Sequence, residues 1–377
     1  MTTLSIDDIR IPPELLPSDG RFGCGPSKIR AEQMHTLIQQ SGKLLGTSHR
    51  QEPVRRLVGS IRDGLSELFG LPAGWEIVLG NGGATVFWDV ATFGLIKQKS
   101  QHLVFGEFSA KFATATKSAP HLIEPQVIES EFGDHPKAIA SPDIDAYCFT
   151  HNETSTGVAM DIRRPVGAGE ALVVVDATSA AGGLAWNSNE VDVYYFSPQK
   201  CFASEGGLWV AACSPLAIAR IEELRQSGRW SPASLNLGIA LDNSRSNQTL
   251  NTPSITTLLL LNEQIKWMLS NGGMSWCVDR TKLSSQILYE WAETQPFTQP
   301  FVVEPSKRSH VVGTIDLIGV EATQVNEVLR REGIVDTESY RKLGRNQLRI
   351  AMFPSIEPPD IEQLTRCINY IVERIRP

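Results

Sequence analysis

The sequence predicts an α/β protein: a large, mostly parallel sheet covered by helices on both faces, followed by a smaller α/β unit. Three observations carry that expectation. Short continuous apolar runs recur at 102–105 (HLVF), 145–149 (DAYCF), 171–176 (ALVVVD), 191–196 (VDVYYF) and 207–213 (GLWVAAC). Runs of this length, without polar alternation, mark strands buried on both faces. Helical or loop segments separate them, and after Asn251 the texture changes to longer amphipathic stretches.

Taken in chain order, residues 1–20 read as an irregular arm, because Pro12, Pro13 and Pro17 prevent a continuous helix. From about Arg30 to Phe69 the pattern is helical in two pieces, interrupted near Gly46–Arg50. EIVLGNGGATVFW then reads as a strand, a glycine-rich turn and a helix start, and the five buried strands follow. Beyond them, TTLLLLNEQIKWML and SSQILYEWAE read as amphipathic helices. HVVGTIDLIG, a helix around 322–332, NQLRIAMF and a closing IEQLTRCINYIVERI complete the chain. The expected organisation is an N-terminal arm (1–20), a large domain (21–260) and a small C-terminal domain (261–377), consistent with 377 residues at about 150 per domain.

Composition narrows the function classes. Hydrophobic residues make up 41% and charged residues 20%, which suits a folded globular chain. Lys plus Arg number 35 against 42 Asp plus Glu, a formal net charge of −7, which argues against a nucleic-acid or anionic-membrane partner. Six cysteines at 24, 148, 201, 213, 277 and 367 form no CxxC pair and no zinc-type spacing, so no metal and no disulfide framework is expected. The N-terminus lacks a basic segment followed by an apolar run, and no apolar stretch of 18 residues occurs. A cytoplasmic location is the expectation.

Three features fall at strand ends, where open α/β sheets place their sites. Asp176 closes ALVVVD; alone it reads equally well as a helix N-cap. Lys200 closes SPQK after VDVYYF, among small residues; alone it reads as a surface lysine. GNGGAT (80–85) links a strand to a helix whose N-terminal amides suit a phosphate, though it is neither GxGxxG nor GxxxxGK[ST]. Together they match what pyridoxal 5'-phosphate (PLP) needs: an amine for its aldehyde, a carboxylate on its ring nitrogen, and a helix N-terminus for its phosphate. A nucleotide-binding module would explain GNGGAT but leave Asp176 and Lys200 without a purpose.

Nearly the whole chain resembles the phosphoserine aminotransferases, in the form found in actinobacteria, within the class V, fold-type I PLP-dependent enzymes. The resemblance rests on RFGCGPSKIR (21–30), GTSHRQEPV (46–54), LGNGGATVFWD (79–89), GEFSAKF (106–112), HNETSTGV (151–158), VVDATSAAGG (174–183), YYFSPQKCFASEGGLW (194–209), NQTLNTPSI (247–255) and GIVDTESYRKLGRNQLRIAMFP (333–354). It implies a seven-stranded-type large sheet domain and a homodimer with shared active sites. Lys200 then corresponds to the catalytic lysine that binds the cofactor and moves the α-proton, and Asp176 to the carboxylate on the ring nitrogen. Thr154 corresponds to the contact with the ring oxygen, Ala84, Thr85 and Gln199 to the phosphate cradle, and Asn251 and Thr252 to phosphate contacts from the second subunit. Phe108 stands where the family stacks an aromatic ring, usually Trp, and Thr85 where many relatives carry Arg.

The family moves an amino group between L-glutamate and 3-phosphohydroxypyruvate, giving 2-oxoglutarate and O-phospho-L-serine in L-serine biosynthesis. Some members also serve the phosphorylated hydroxythreonine step of pyridoxine biosynthesis. Each ligand carries an α-carboxylate and a second anion, so two separated cationic sites are needed. Arg349 corresponds to the α-carboxylate clamp, and His49 and Arg50 to the pair for the distal anion, contributed across the dimer. Arg341 is a further candidate, in competition with Lys342 and Arg345. His151 and Cys201 read as packed residues, and Trp75, Trp186 and Trp230 as core or interface.

Overall fold

The computed structural model describes residues 6–375. The first five residues of the predicted arm lie outside them. The rest of the arm makes two short 3-10 turns, buries Ile9 and Ile11, and docks on the C-terminal helix, where the Ser18 backbone N–H and hydroxyl both donate to Asp360 at 2.8 Å.

The two predicted leading helices are α1 (Ala31–Leu44) and α2 (Glu52–Leu68), with the TSHR segment in the turn between them. The large unit continues as β1 (Glu76–Asn81), α3 (Ala84–Gly94), β2 (Ser100–Val104), α4 (Glu107–Ser118), β3 (Gln126–Glu129) and β4 (Ala146–Thr150). A short hairpin, β5 (Asn152–Glu153) with β6 (Val158–Ala159), precedes β7 (Leu172–Asp176), β8 (Val193–Phe196) and β9 (Leu208–Cys213). Helices α5 (Pro215–Gln226), α6 (Leu237–Arg245) and α7 (Ile255–Ser270) follow.

Seven strands form one sheet in the order β1-β9-β8-β7-β4-β2-β3, parallel except where β9 pairs antiparallel with β1 and β8. This is the expected mostly parallel, seven-stranded sheet. Alternate residues of each strand enter opposite layers: Val173 and Val175 face one cluster, Leu172 and Val174 the other. Burial on both faces explains the unbroken apolar runs. Strand β3 escaped the sequence reading because it is an edge strand with Gln126, Val127 and Glu129 exposed.

The remaining elements are α8 (Gly273–Thr294), β10 (Thr298–Pro300), β11 (Val312–Leu317), α9 (Ala322–Arg331), β12 (Gln347–Ala351) and α10 (Pro358–Ile375). Strands β10, β11 and β12 form an antiparallel sheet on which α8 packs, with α10 against α8. The stretch SSQILYEWAE is only the second half of α8, since the polar and aromatic residues of MSWCVDR hide the helical period of the first half. Residue 260 lies inside α7, which packs on α1 and α2, whereas α8, beyond the Asn271–Gly272 turn, packs on β10, β11 and α10.

Gly80 in β1 lies under the Trp209 indole, where an added Cβ would come within 2.0 Å of the ring. Gly80→Ala is expected to lower stability by about 1–3 kcal/mol through overpacking, read as a fall in the denaturant midpoint at unchanged slope.

Candidate active site

Strands β1, β7 and β8 run in one direction, so their carboxyl ends open on one edge of the sheet. Each carries one of the three features singled out in the sequence.

After β1 the chain turns at Gly82, held at φ +114°, and its N–H donates to the Gly207 carbonyl at 3.0 Å. Helix α3 then begins at Ala84. Its first-turn amides, those of Ala84 and Thr85, have no acceptor within the helix and present a partial positive charge. The turn after β8 faces this helix start: Ser197 Oγ lies 3.6 Å from the position a Cβ on Gly83 would take. Gln199 and Lys200 follow in that turn, and the buried Gln199 Oε1 has no partner.

Asp176, at the end of β7, is almost wholly buried. Its Oδ2 accepts from the Trp88 indole N–H (2.9 Å) and the Tyr195 hydroxyl (3.2 Å), and its Oδ1 accepts from the Thr178 N–H (3.0 Å). Burial, and then the Asp176 charge, push the Tyr195 phenol well above its ordinary value, which keeps it a donor. Three donors fix the carboxylate at the sheet edge.

The Lys200 amine is buried and donates to the Cys24 carbonyl at 2.5 Å. Burial, reinforced by the nearby Arg349 charge, pushes it down to about 8. Gly25 lets the side chain pass: at φ +139°, a Cβ there would stand 2.2 Å from Nζ. Phe108 presents its ring centroid 5.9 Å from the same Nζ. The ring sits in the first turn of α4, and buried Glu153 holds that turn by accepting from the Phe108 and Ser109 N–H groups (3.1 and 2.9 Å) and from the Ser109 and Ser155 hydroxyls (2.9 and 2.7 Å).

From the small domain, Arg349 on β12 donates to the Thr154 carbonyl (3.4 Å), and its buried Nε is unpartnered. The guanidinium stands 5.3 Å from the Tyr340 ring, which meets Phe108 edge-on at 5.9 Å. Thr154 Oγ1 bonds Ser179 Oγ at 2.8 Å, just beyond Asp176. The structure therefore links Lys200, Phe108, Thr154 and Arg349 at the sheet edge where Asp176 stands, with Gln199 and the Ala84–Thr85 amides in the two facing turns.

His49, Arg50, Asn251 and Thr252 form a second, more exposed cluster. His49 Nδ1 meets Thr252 Oγ1 at 3.1 Å, and Arg50 donates to Gln248 at 2.6 Å. Asn81, the last residue of β1, bonds the Asn251 N–H and the Thr252 carbonyl (3.2 and 3.3 Å). Among the described residues no hydrogen bond or ion pair joins this cluster to Lys200, Asp176 or Arg349. The 341–345 cations separate: Arg345 pairs with Asp316 and stacks on Phe301, Lys342 pairs with Glu107 at the start of α4, and Arg341 is exposed, with no side-chain hydrogen bond or ion pair among the described residues.

His151 is buried against the Tyr194 hydroxyl at 2.9 Å, and burial pushes it down to about 4. The Cys201 thiol donates to the Ser179 carbonyl at 3.4 Å and is pushed well up by burial, which leaves it unreactive. Trp75 and Trp186 pack on the core, whereas Trp230 is 76% exposed. Sequence reasoning missed Glu153, Tyr340 and Trp88. Glu153 carried a signal, a carboxylate inside the HNETSTG turn; the other two are set by packing between distant segments.

Residues 110–338 match the family model for class-V aminotransferases. A Mycobacterium leprae protein is 57% identical over 366 residues, 97% of each chain. The phosphoserine aminotransferase of Rhodococcus opacus is 54% identical, covering 97% of this chain and 98% of its own. A crystal structure of the Cytophaga hutchinsonii phosphoserine aminotransferase superposes with TM-score 0.85 at 24% identity, covering 93% of this chain and 99% of its own, a likeness of fold. The chain belongs to the phosphoserine aminotransferase family, and it is a PLP-dependent aminotransferase of fold type I.

The residues present suit that cofactor. A buried amine of lowered basicity faces an aromatic ring, a fixed carboxylate stands at the sheet edge, and Thr178 Oγ1, Gln199 Oε1 and Arg349 Nε are buried polar atoms with no protein partner. Among the described residues no group of three His, Cys, Asp or Glu side chains could hold a metal ion, and no helix is long and apolar enough to cross a membrane.

The amine attacks the cofactor's aldehyde only as the free base. Cofactor reincorporation into the apoprotein should therefore accelerate with rising pH through a midpoint near 8, the value burial imposes on Lys200. The return of visible absorbance measures it; a midpoint near 10 would mean that the amine is fully solvated.

Proposed function

We propose that this enzyme transfers an amino group between L-glutamate and 3-phosphohydroxypyruvate, giving 2-oxoglutarate and O-phospho-L-serine, in L-serine biosynthesis. The single observation that carries the reading is the placement of Arg349: its buried Nε has no partner, and its charge lies close enough to the Lys200 amine to help lower that amine's basicity. The names of close relatives support the substrate assignment.

PLP supplies an electron-accepting ring toward which charge leaving the substrate α-carbon can flow. Asp176, fixed by Trp88, Tyr195 and Thr178, would hold a proton at the ring nitrogen. Lys200, with its lowered basicity, would carry the proton to and from the substrate α-carbon. Phe108, Thr154, Ala84, Thr85 and Gln199 would hold the ring and the phosphate. Arg349 grips the α-carboxylate.

The distal anion requires a second positive site, to which we assign His49 and Arg50, with Arg341 a further candidate. The position of His49, Arg50, Asn251 and Thr252 in an exposed cluster of their own supports a homodimer in which this set completes the partner's site. The phosphorylated hydroxythreonine of pyridoxine biosynthesis offers the same two anions and is a second substrate of the same kind. We divide the chain into a cofactor domain and a small domain near residue 260; the packing of α7 on α1 and α2 favours a boundary at the far end of that helix. All six cysteines are free and buried, which supports a reducing, cytoplasmic setting.

Adding O-phospho-L-serine to the purified protein should shift its visible absorbance, and alanine, serine or cysteine should do so far less. A stronger response to any of those three would overturn the assignment. Lys200→Ala should lose both the visible band and activity. Arg349→Ala should weaken L-glutamate and O-phospho-L-serine alike, by about tenfold to a hundredfold for a charged hydrogen-bonding partner; a loss confined to one substrate would place the carboxylate clamp elsewhere.

A further inference from the structure

We infer that Thr314 is a positioning residue for Arg349: its hydroxyl fastens the strand pair that carries the arginine to the HNETSTG turn. This inference rests on the reading of Arg349 as the α-carboxylate clamp and names what aims that clamp.

Arg349 is loosely held by its own contacts. The guanidinium reaches the Thr154 carbonyl at 3.4 Å, past the usual length of an N–H···O bond, and stands 5.3 Å from the Tyr340 ring. Its Nε is buried without a partner. Contacts of this kind do not fix a long side chain, so its aim comes from the strand beneath it. Strand β12 pairs antiparallel with β11, and Arg349 lies directly opposite Thr314. Opposite residues of an antiparallel pair project from the same face, with Cβ atoms about 5 Å apart. Thr314 and Arg349 therefore leave the small sheet side by side.

Both reach one turn. Thr314 Oγ1 donates to the Thr156 carbonyl at 2.9 Å, and Arg349 donates to the carbonyl of Thr154, two residues earlier. Thr314, Thr154 and Thr156 are all buried. The turn closes through the Thr156 and Gly157 N–H groups, which donate to the Glu153 carbonyl at 3.2 and 2.9 Å. Gly157, at φ +71°, leaves room for the incoming hydroxyl: a Cβ there would stand 2.6 Å from Thr314 Oγ1. Two further contacts join this turn to the small domain, the Ser309 N–H on the Gly157 carbonyl at 3.0 Å and the Val158–Arg308 bridge. Those come from the segment before β11, whereas the Thr314 bond comes from the strand pair itself. Thr314 thus sets where Arg349 stands relative to Thr154.

The test titrates the visible absorbance of the holoenzyme with L-glutamate, O-phospho-L-serine and hydroxylamine, an amine nucleophile with no carboxylate. The proteins are the wild type, Thr314→Val, Thr314→Ser, Gly157→Ala, Arg349→Ala and the double variant Thr314→Val with Arg349→Ala. Thr314→Val keeps the shape and removes the hydroxyl. It should weaken both amino acids alike, about threefold to tenfold, the worth of one neutral hydrogen bond, and leave the visible band and the hydroxylamine response unchanged. Thr314→Ser should restore binding. Gly157→Ala, which presses on an intact hydroxyl from the other side, should reproduce the loss. In the Arg349→Ala background Thr314→Val should change nothing further, the mark of two residues acting as one unit. Unchanged amino-acid binding in Thr314→Val would overturn the proposal, as would a hydroxylamine response that falls in step or a loss that persists without Arg349. An Arg349→Ala variant that binds both amino acids like the wild type would instead remove the clamp reading, and this inference with it. A wild type that answers L-glutamate but not O-phospho-L-serine would remove the phosphoserine reading, with the Thr314 effect still read on L-glutamate.

Discussion

Removing the Lys200 amine from water is the constraint on which the rest of the site depends. A buried ammonium is costly unless it finds an acceptor, and the fold supplies one acceptor, the Cys24 carbonyl. That carbonyl comes from a segment 176 residues away in sequence. It reaches Nζ only because Gly25 has no side chain and adopts φ +139°. One hydrogen bond does not restore full hydration, so the amine's basicity falls. A lysine that is neutral for part of the time at neutral pH can act as nucleophile and as proton carrier, and one in water cannot do either well.

The same edge of the sheet determines everything placed around that amine. Strands β1, β7 and β8 end together, so phosphate turn, carboxylate and lysine converge without any long loop. Precision then comes from polar groups that the cofactor does not touch. Glu153 gathers two backbone amides and two hydroxyls at the start of α4, and burial pushes its carboxyl above the ordinary range against those donors. Its effect is to fix the first turn of the helix that carries Phe108.

Much of this was legible in the sequence, and the reason is physical. A strand buried on both faces writes itself as an unbroken apolar run, and a residue at its end writes itself as the first polar one; Asp176 was visible on those terms, whereas Lys200, four residues past the end of β8, stood out only in combination with Asp176 and the glycine turn. The α1–α2 break at the TSHR segment was equally plain. What stayed hidden is set by contacts between distant segments. Trp88 reaches Asp176 across 88 residues, and Tyr340 meets Phe108 from another domain. Neither position has a local pattern that distinguishes it from packing. Strand β3, an exposed edge, and the first half of α8, rich in polar and aromatic residues, lacked the periodicity that marks their neighbours. Resemblance named Thr154 in the HNETSTG turn but passed over Glu153, the residue that shapes the turn.

The net charge of −7 sits beside a chemistry of anionic ligands, and the pairing pattern reconciles the two. Most arginines of this chain are spent on carboxylates: Arg164 on Asp192, Arg225 on Asp242, Arg245 on Glu76, Arg345 on Asp316. A neutralised guanidinium has little left for a substrate. The candidate site residues break that pattern. Arg349 is held by a neutral carbonyl and an aromatic face, and Arg50 by the Gln248 amide. Neutral partners orient a cation without cancelling its charge, so the full attraction is kept for the ligand. An acidic protein can thus bind doubly anionic substrates well, because the cations that matter are those whose partners carry no charge.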